Sequence, residues 1–157
     1  MRSAKGKYFN VRVYGLLYHE NSVLISDEFI NGKSITKFPG GGLEFGEGTT
    51  ECIVREFKEE INIQIQPIAH FYTTDFFVAS AFNPNAQVIS IYYEVQSDAV
   101  KSIPTAHRKF DFAVGKEGAQ SLRWIPLNEI SEADFTFSID KKVAQLLQQK
   151  FNTTSNT

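Results

Sequence analysis

The sequence predicts a mixed α/β sandwich, in which strands are interrupted by one central and one terminal helix. Three observations carry this reading. Short segments dense in β-branched and aromatic residues are punctuated by turn residues, two other segments space their apolar residues at the helical period, and three successive glycines, Gly40 to Gly42, stand before the first helix. A chain of 157 residues fits one domain spanning 1–157. Such a domain buries roughly 68–70% of its unfolded surface, so its core can hold it together without disulfides.

Phe9 to Tyr18 reads as the first strand, with Val11, Val13, Tyr14, Leu16 and Leu17. His19-Glu20-Asn21 turns into a second strand, Ser22 to Ser26. Asn31-Gly32-Lys33 marks a turn, and Pro39 with the glycines demands a loop. From Thr49 to Ile61 the period becomes helical: Ile53, Val54, Phe57 and Ile61 form one stripe, with Thr49 or Thr50 as N-cap. Ile63 to Ala79 and Gln87 to Val95 read as a long antiparallel pair. Leu122 to Ile125 is a short strand ended by Pro126, and Leu127 to Ile130 a turn of helix. Ser138 to Phe151 is the second helix, with Val143, Leu146, Leu147 and Phe151 on one side, before a polar tail from about Asn152.

Composition narrows the function. Sixteen basic against eighteen acidic side chains, a net charge of −2, argue against a nucleic-acid coat or a membrane-surface binder. No apolar run approaches the roughly 20 residues of a membrane span. Met1 to Tyr8 is basic but leads into no apolar segment of the secretory kind. The single cysteine, Cys52, favours a reducing compartment, and the expectation is a cytoplasmic protein. Cys52 lies within the first helix and is expected to be packed rather than reactive.

The chemistry concentrates between Gly41 and Ile63. Glu56, Glu59 and Glu60 fall at i, i+3 and i+4 of one helix, where side chains are neighbours about 5–6 Å apart. Like charges there repel, and Mg²⁺ would supply the missing countercharge through hard carboxylate oxygens while keeping several waters. The glycine loop brings backbone groups against the same place, which residues with side chains would block.

The spacing Gly41, five residues, Glu47, seven residues, Arg55-Glu56-Phe57, one residue, Glu59-Glu60, two residues, Ile63 resembles the Nudix box, G-x5-E-x7-R-E-U-x-E-E-x-G-U with U a bulky aliphatic. At average residue frequencies the matched positions would recur by chance in such a chain about once in a million. Phe57 keeps the apolar role of its position. Asn62 replaces the last glycine, and Asn tolerates the left-handed backbone expected after a helix, so Asn62→Gly is expected to keep activity and raise stability slightly. The surroundings, Phe38-Pro39-Gly40-Gly41, Trp124-Ile125-Pro126-Leu127 and the terminal helix, resemble the family plan as well.

The resemblance implies an α/β/α sandwich around a mixed sheet. It implies a pyrophosphohydrolase using Mg²⁺ or Mn²⁺ on a nucleoside diphosphate linked to another group, a nucleoside triphosphate or a sugar nucleotide. Carried over by position, Glu56, Glu59, Glu60 and the Gly40 carbonyl are metal ligands, and Arg55 with Glu47 orients the carboxylates. Gly41 and Gly42 border the substrate, and Arg108 of the basic run His107-Arg108-Lys109 is a candidate for its phosphates. Gly115-Lys116-Glu117-Gly118 resembles the loop of MutT-like members in which a glutamate meets the metal, so Glu117 joins Glu56 as candidate general base. His19, His70 and His107 are scattered, and most of Phe71-Tyr72, Phe76-Phe77 and Tyr92-Tyr93 is expected in the core. The expected partner is a small nucleotide, with neither nucleic acid nor membrane, and homodimers are common in the family. The rival reading is a catalytically silent Nudix-like domain that senses a nucleotide; such sensors often lose box carboxylates or carry an added DNA-binding domain, whereas Glu56, Glu59 and Glu60 are all present here.

Overall fold

The computed structural model describes residues 6–155, with side chains as far as Asn152. The segment expected to carry no secretory signal therefore lies largely outside the described residues, as does the end of the expected polar tail. The chain runs β1 (Tyr8–His19), β2 (Ser22–Ile30), β3 (Lys33–Lys37), β4 (Gly40–Gly42), α1 (Thr49–Ile61), β5 (Gln66–Thr73), β6 (Ala86–Gln96), β7 (Gln120–Pro126) and α2 (Ser138–Ser155). Among the described residues it has seven strands and two α-helices, and it is the mixed α/β fold that the sequence predicts.

β1 organises the sheet. It pairs antiparallel with β2 through Tyr18 and Val23, antiparallel with β4 through Arg12 to Tyr14, and parallel with β6 from Tyr8 and Ala86 to Leu17 and Val95. β3 and β7 flank β2 antiparallel, and β5 pairs antiparallel with β6. Alternation along β1 divides the core. Val13 and Leu17 join Leu24, Ile53, Phe57 and Val95 beneath α1, whereas Tyr14 and Leu16 join Ile25, Tyr92, Val143 and Leu147 beneath α2.

Several expected boundaries are corrected. The second strand extends to Ile30 and is followed by β3, because Asn31 and Gly32 adopt positive φ in a tight turn that returns the chain antiparallel. Gly40 to Gly42 is a short strand as well as a loop, since its backbone is paired by β1. The expected long strand from Ile63 stops at Thr73. Thr74 to Asn85 is a loop with a single bridge from Ala79 to Gln87, and it leaves Phe76 and Phe77 exposed instead of in the core. The expected helical turn at Leu127–Ile130 is a turn without a helix; a 3₁₀ turn follows at Glu132–Asp134. α2 continues past the expected start of the tail to Ser155.

A buried ion pair joins β2 to β7, and its carboxylate also holds the loop before β7. Asp27 is fully buried and accepts from Arg123 Nε at 2.6 Å, Arg123 Nη2 at 3.2 Å and Thr36 Oγ1 at 2.8 Å. The Phe110 N–H donates to the same carboxylate at 3.2 Å. A buried charge this fully hydrogen-bonded tolerates its desolvation, whereas removing either partner would not.

Candidate active site

α1 begins one residue before the expected caps. Gly48 is the N-cap, its N–H donating to Glu51 Oε1 at 3.1 Å, while the Thr49 hydroxyl is hydrogen-bonded to Tyr93 Oη at 2.6 Å. The helix ends at Asn62, which sits at φ 60 and ψ 38 in the left-handed region. Cys52, Ile53, Phe57 and Ile61 bury the inner face, and Val54 packs against it half-buried. The opposite face carries Arg55, Glu56, Glu59 and Glu60 toward the glycine loop and its surroundings.

Arg55 is the hub. Its Nε and Nη2 donate to the two oxygens of Glu47 at 2.9 and 2.7 Å, and Nη2 also donates to the Gly42 carbonyl at 3.0 Å. Nη1 donates to Glu56 Oε1 at 3.0 Å and to Glu59 Oε2 at 3.1 Å. The planar guanidinium suits this fork, which a lysine could not reproduce. Hydrogen bonds from Arg55, with the Glu44 N–H adding to them, pull the Glu47 carboxyl down to about 2.

Glu56 is buried, and its carboxylate lies over Gly41, where any Cβ would come within 2.5 Å of it. Gly40 has φ +151, and a Cβ there would strike the Val13 carbonyl oxygen. Lys37, also buried, donates to the Gly40 carbonyl at 3.4 Å and pairs with Glu28 at 3.2 Å. Glu60 is exposed as a residue, yet desolvation pushes its carboxyl up to about 7, with Glu28 and Glu56 adding to the rise and Lys37 and Arg12 opposing it. Glu28, Glu56 and Glu60 thus crowd negative charge beside two cations. Among the described residues, no three His, Cys, Asp or Glu side chains close into a ready-made metal cage. The hard oxygen donors fit Mg²⁺ in the open manner, in which a few carboxylates hold an ion that keeps waters.

Beside these residues opens a cavity of about 410 Å³, whose lining includes Arg12, Tyr14, Lys37, Phe82, Phe137 and Asp140. Arg12 Nε donates to Tyr14 Oη at 2.6 Å, and its guanidinium end reaches over Gly42, where a Cβ would meet Nη1 at 3.7 Å. Lys37 Nζ sits 5.3 Å from the centre of the Tyr14 ring. Two cations therefore stand between the carboxylates of α1 and an apolar recess, a place suited to the phosphates of a ligand.

The structure brings Gly40, Gly41, Gly42, Glu47, Arg55, Glu56 and Glu59 together, with Glu60 coupled to them through its charge. It does not bring in Glu117 or Arg108. Glu117 Oε1 accepts from the Asn31 N–H at 2.6 Å, capping the β2–β3 turn, and forms no hydrogen bond or ion pair with the α1 carboxylates. Ligating a metal would require it to leave that turn. Arg108 is exposed and paired with Asp111 at 2.5 Å. His19 lies by Trp124, His70 by Tyr93, and His107 on the distant loop. Arg12, Glu28, Lys37 and Asp140 are not among the residues the sequence singles out. The signal for Arg12 was a lone cation in a strand rich in apolar residues, since such a charge needs a reason to be there, whereas Lys37 ends a polar strand that holds a second lysine and carries no such signal.

The family model of the NUDIX domain matches residues 9–147. The chain belongs to the Nudix family. With that comes the expected enzyme class, a Nudix hydrolase acting on phosphoanhydride bonds. Among curated proteins it is similar to Phosphatase NudJ of Escherichia coli K12, 27% identical over 124 residues that make up 79% of this chain and 72% of NudJ. In fold it is similar to a Nudix hydrolase from Nitrosomonas europaea, with a TM-score of 0.66 and 19% identity over 91% of this chain and 90% of that one. A MutT Nudix hydrolase from Burkholderia pseudomallei gives a TM-score of 0.63 and 15% identity over 91% and 98% of the two chains.

Proposed function

We propose that this protein is a cytoplasmic, single-domain pyrophosphohydrolase that uses Mg²⁺ or Mn²⁺ to hydrolyse a small nucleotide, a nucleoside triphosphate or a sugar nucleotide. One observation carries the reading: the Glu56 carboxylate, laid over Gly41 and held by Arg55, stands beside a recess whose border holds Arg12 and Lys37. Glu56, Glu59, Glu60 and the Gly40 carbonyl would hold the metal. When bound, it neutralises phosphate charge and lowers the pKa of attacking water.

The chain's own residues supply the rest. Arg12 and Lys37 draw the phosphates to the rim of the cavity, and the Gly41 backbone leaves room for the Glu56 carboxylate. Water attacks one phosphorus of the anhydride, the P–O bond to the departing phosphate breaks, and the water's proton passes to a carboxylate. Glu56 is the better placed base, because its carboxylate is already at the glycine loop while that of Glu117 is bound at a turn.

The test is a panel of nucleoside triphosphates, sugar nucleotides and dinucleoside polyphosphates, assayed for phosphate release with Mg²⁺ and then Mn²⁺. Glu56→Gln and Glu59→Gln proteins are assayed beside the parent. Hydrolysis that disappears on chelation, and falls by about 10²–10⁴-fold in folded Glu56→Gln, is the expected result. Binding of a nucleotide with no turnover under any metal would favour a sensor instead.

A further inference from the structure

Tyr14 is held where three parts of the site meet. On β1 it lies opposite Gly40, and Arg12 lies opposite Gly42; residues two apart on a strand share a face. A Cβ on Gly40 would stand 2.8 Å from Tyr14 Cδ1, so the ring lies against the glycine whose carbonyl is a candidate metal ligand. Lys37 Nζ sits over the same ring, and the Tyr92 ring packs beside it with centroids 5.3 Å apart. Tyr14 is 8% exposed. A side chain fixed from so many directions loses little further freedom when a ligand arrives.

Its hydroxyl is only half spent. Arg12 Nε donates to Tyr14 Oη at 2.6 Å, which uses a lone pair of the oxygen and leaves the O–H proton to be given elsewhere. Among the described residues this is the single hydrogen bond of either side chain, and Arg12 has no ion pair. The Nη groups of Arg12 are therefore unspent as well. Arg12, Tyr14, Lys37 and Tyr92 all line the cavity, so these donors serve what enters it. A phenol that accepts from a guanidinium becomes a stronger donor in turn, since linked hydrogen bonds polarise one another. Several donors beside two cations call for an acceptor that is both anionic and many-oxygened, as a diphosphate is.

We propose that Tyr14 is a substrate-binding residue: its hydroxyl donates to a phosphate oxygen of the substrate while its lone pair holds Arg12 in place to meet the same diphosphate. This rests on the reading of Arg12 and Lys37 as the cations that draw in the phosphates, and deepens it. The glycine strand, the ring of Tyr14 and the guanidinium of Arg12 then form one continuous wall along the phosphate chain.

Phosphorus NMR titration of the full chain with methylenediphosphonate, at saturating Mg²⁺, tests this apart from turnover, because a P–C–P bridge cannot be hydrolysed. Tyr14→Phe removes the hydroxyl and keeps the ring that packs on Gly40, Lys37 and Tyr92. In this variant, folded by circular dichroism, affinity should fall by about tenfold or more, the scale of a hydrogen bond to a charged group. In an Arg12→Met background the same change should still cost about threefold or more, since the hydroxyl makes a contact of its own. A smaller loss in either background, no binding by the parent, or complete loss of binding in Arg12→Met would each overturn the proposal. Diphosphonate held through Tyr14 by a protein that hydrolyses no nucleotide would remove the hydrolase reading and leave this one. Nucleotide hydrolysis with diphosphonate affinity unchanged in Tyr14→Phe would do the reverse.

Discussion

The Glu56 carboxylate occupies the space that a side chain on Gly41 would fill: a Cβ there would stand 2.5 Å from both the carboxyl carbon and Oε1. The atom in the way is the far end of a flexible side chain, so the fold can yield where the chemistry cannot. Gly41→Ala should therefore melt within a few degrees of the parent while kcat/KM falls by about 10²-fold, the lower end of what losing general-base help costs. Normal turnover in Gly41→Ala would mean that Glu56 works from another rotamer.

Arg55 meets Glu47, Glu56, Glu59 and the Gly42 carbonyl with one rigid fork. Arg55→Lys keeps the charge and loses the fork, so kcat should drop nearly as far as in Arg55→Ala. If the lysine variant recovers most of the activity, charge alone orders the site. Parallel assays of the two variants at saturating Mg²⁺ distinguish these outcomes.

Asp140 departs from the usual behaviour of a carboxylate in a folded protein. Desolvation, outweighing the Tyr92 hydrogen bond and the charges of Lys37 and Arg12, raises it from 3.8 to about 6. The folded chain thus holds this proton more tightly than the unfolded chain. The cost to stability is absent below the unfolded value, grows as pH rises from 3.8, and is complete above about 6. Asp140→Asn should gain on the parent by about 1–3 kcal/mol between pH 4 and pH 7, measured by urea unfolding at each pH. A pH-independent difference would show that Asp140 is as well solvated folded as unfolded.

Glu117→Gln should change kcat by less than about threefold, far below the scale of a lost general base. Its carboxylate serves the Asn31 N–H, so the effect belongs to the β2–β3 turn. A fall of two orders of magnitude would instead show that the loop swings to the metal during turnover.

Asn62→Gly should retain activity and gain up to about 1 kcal/mol, because φ 60 suits glycine better than any other residue. Urea unfolding and one turnover assay suffice to check it.

That position shows what could be read in advance. Helical period, cap geometry and box spacing are local, so α1, its left-handed end at Asn62 and the Arg55–Glu47 pair were legible in the chain itself. The buried Tyr92–Asp140 pair was not, because the two residues come from elements that meet only when α2 docks on β6. Lys37 and Glu28 likewise become partners only through the β2–β3 register. Glu117 is legible only as a loop residue for the same reason: its glycine-flanked sequence describes a loop but says nothing of the turn its carboxylate is bound to.

The parallel pairing of β1 with β6 sets an order of events during synthesis. Tyr8 must wait for Ala86, and Leu17 for Val95, before the longest ladder of the sheet can close. Pairings between such distant segments are slow to form, and an open strand edge invites association with other chains in the meantime. A nascent chain that has just completed α1 already contains every carboxylate of the box, yet its first strand still lacks the neighbour that completes the sheet. Such a chain would depend on chaperones until β6 emerges.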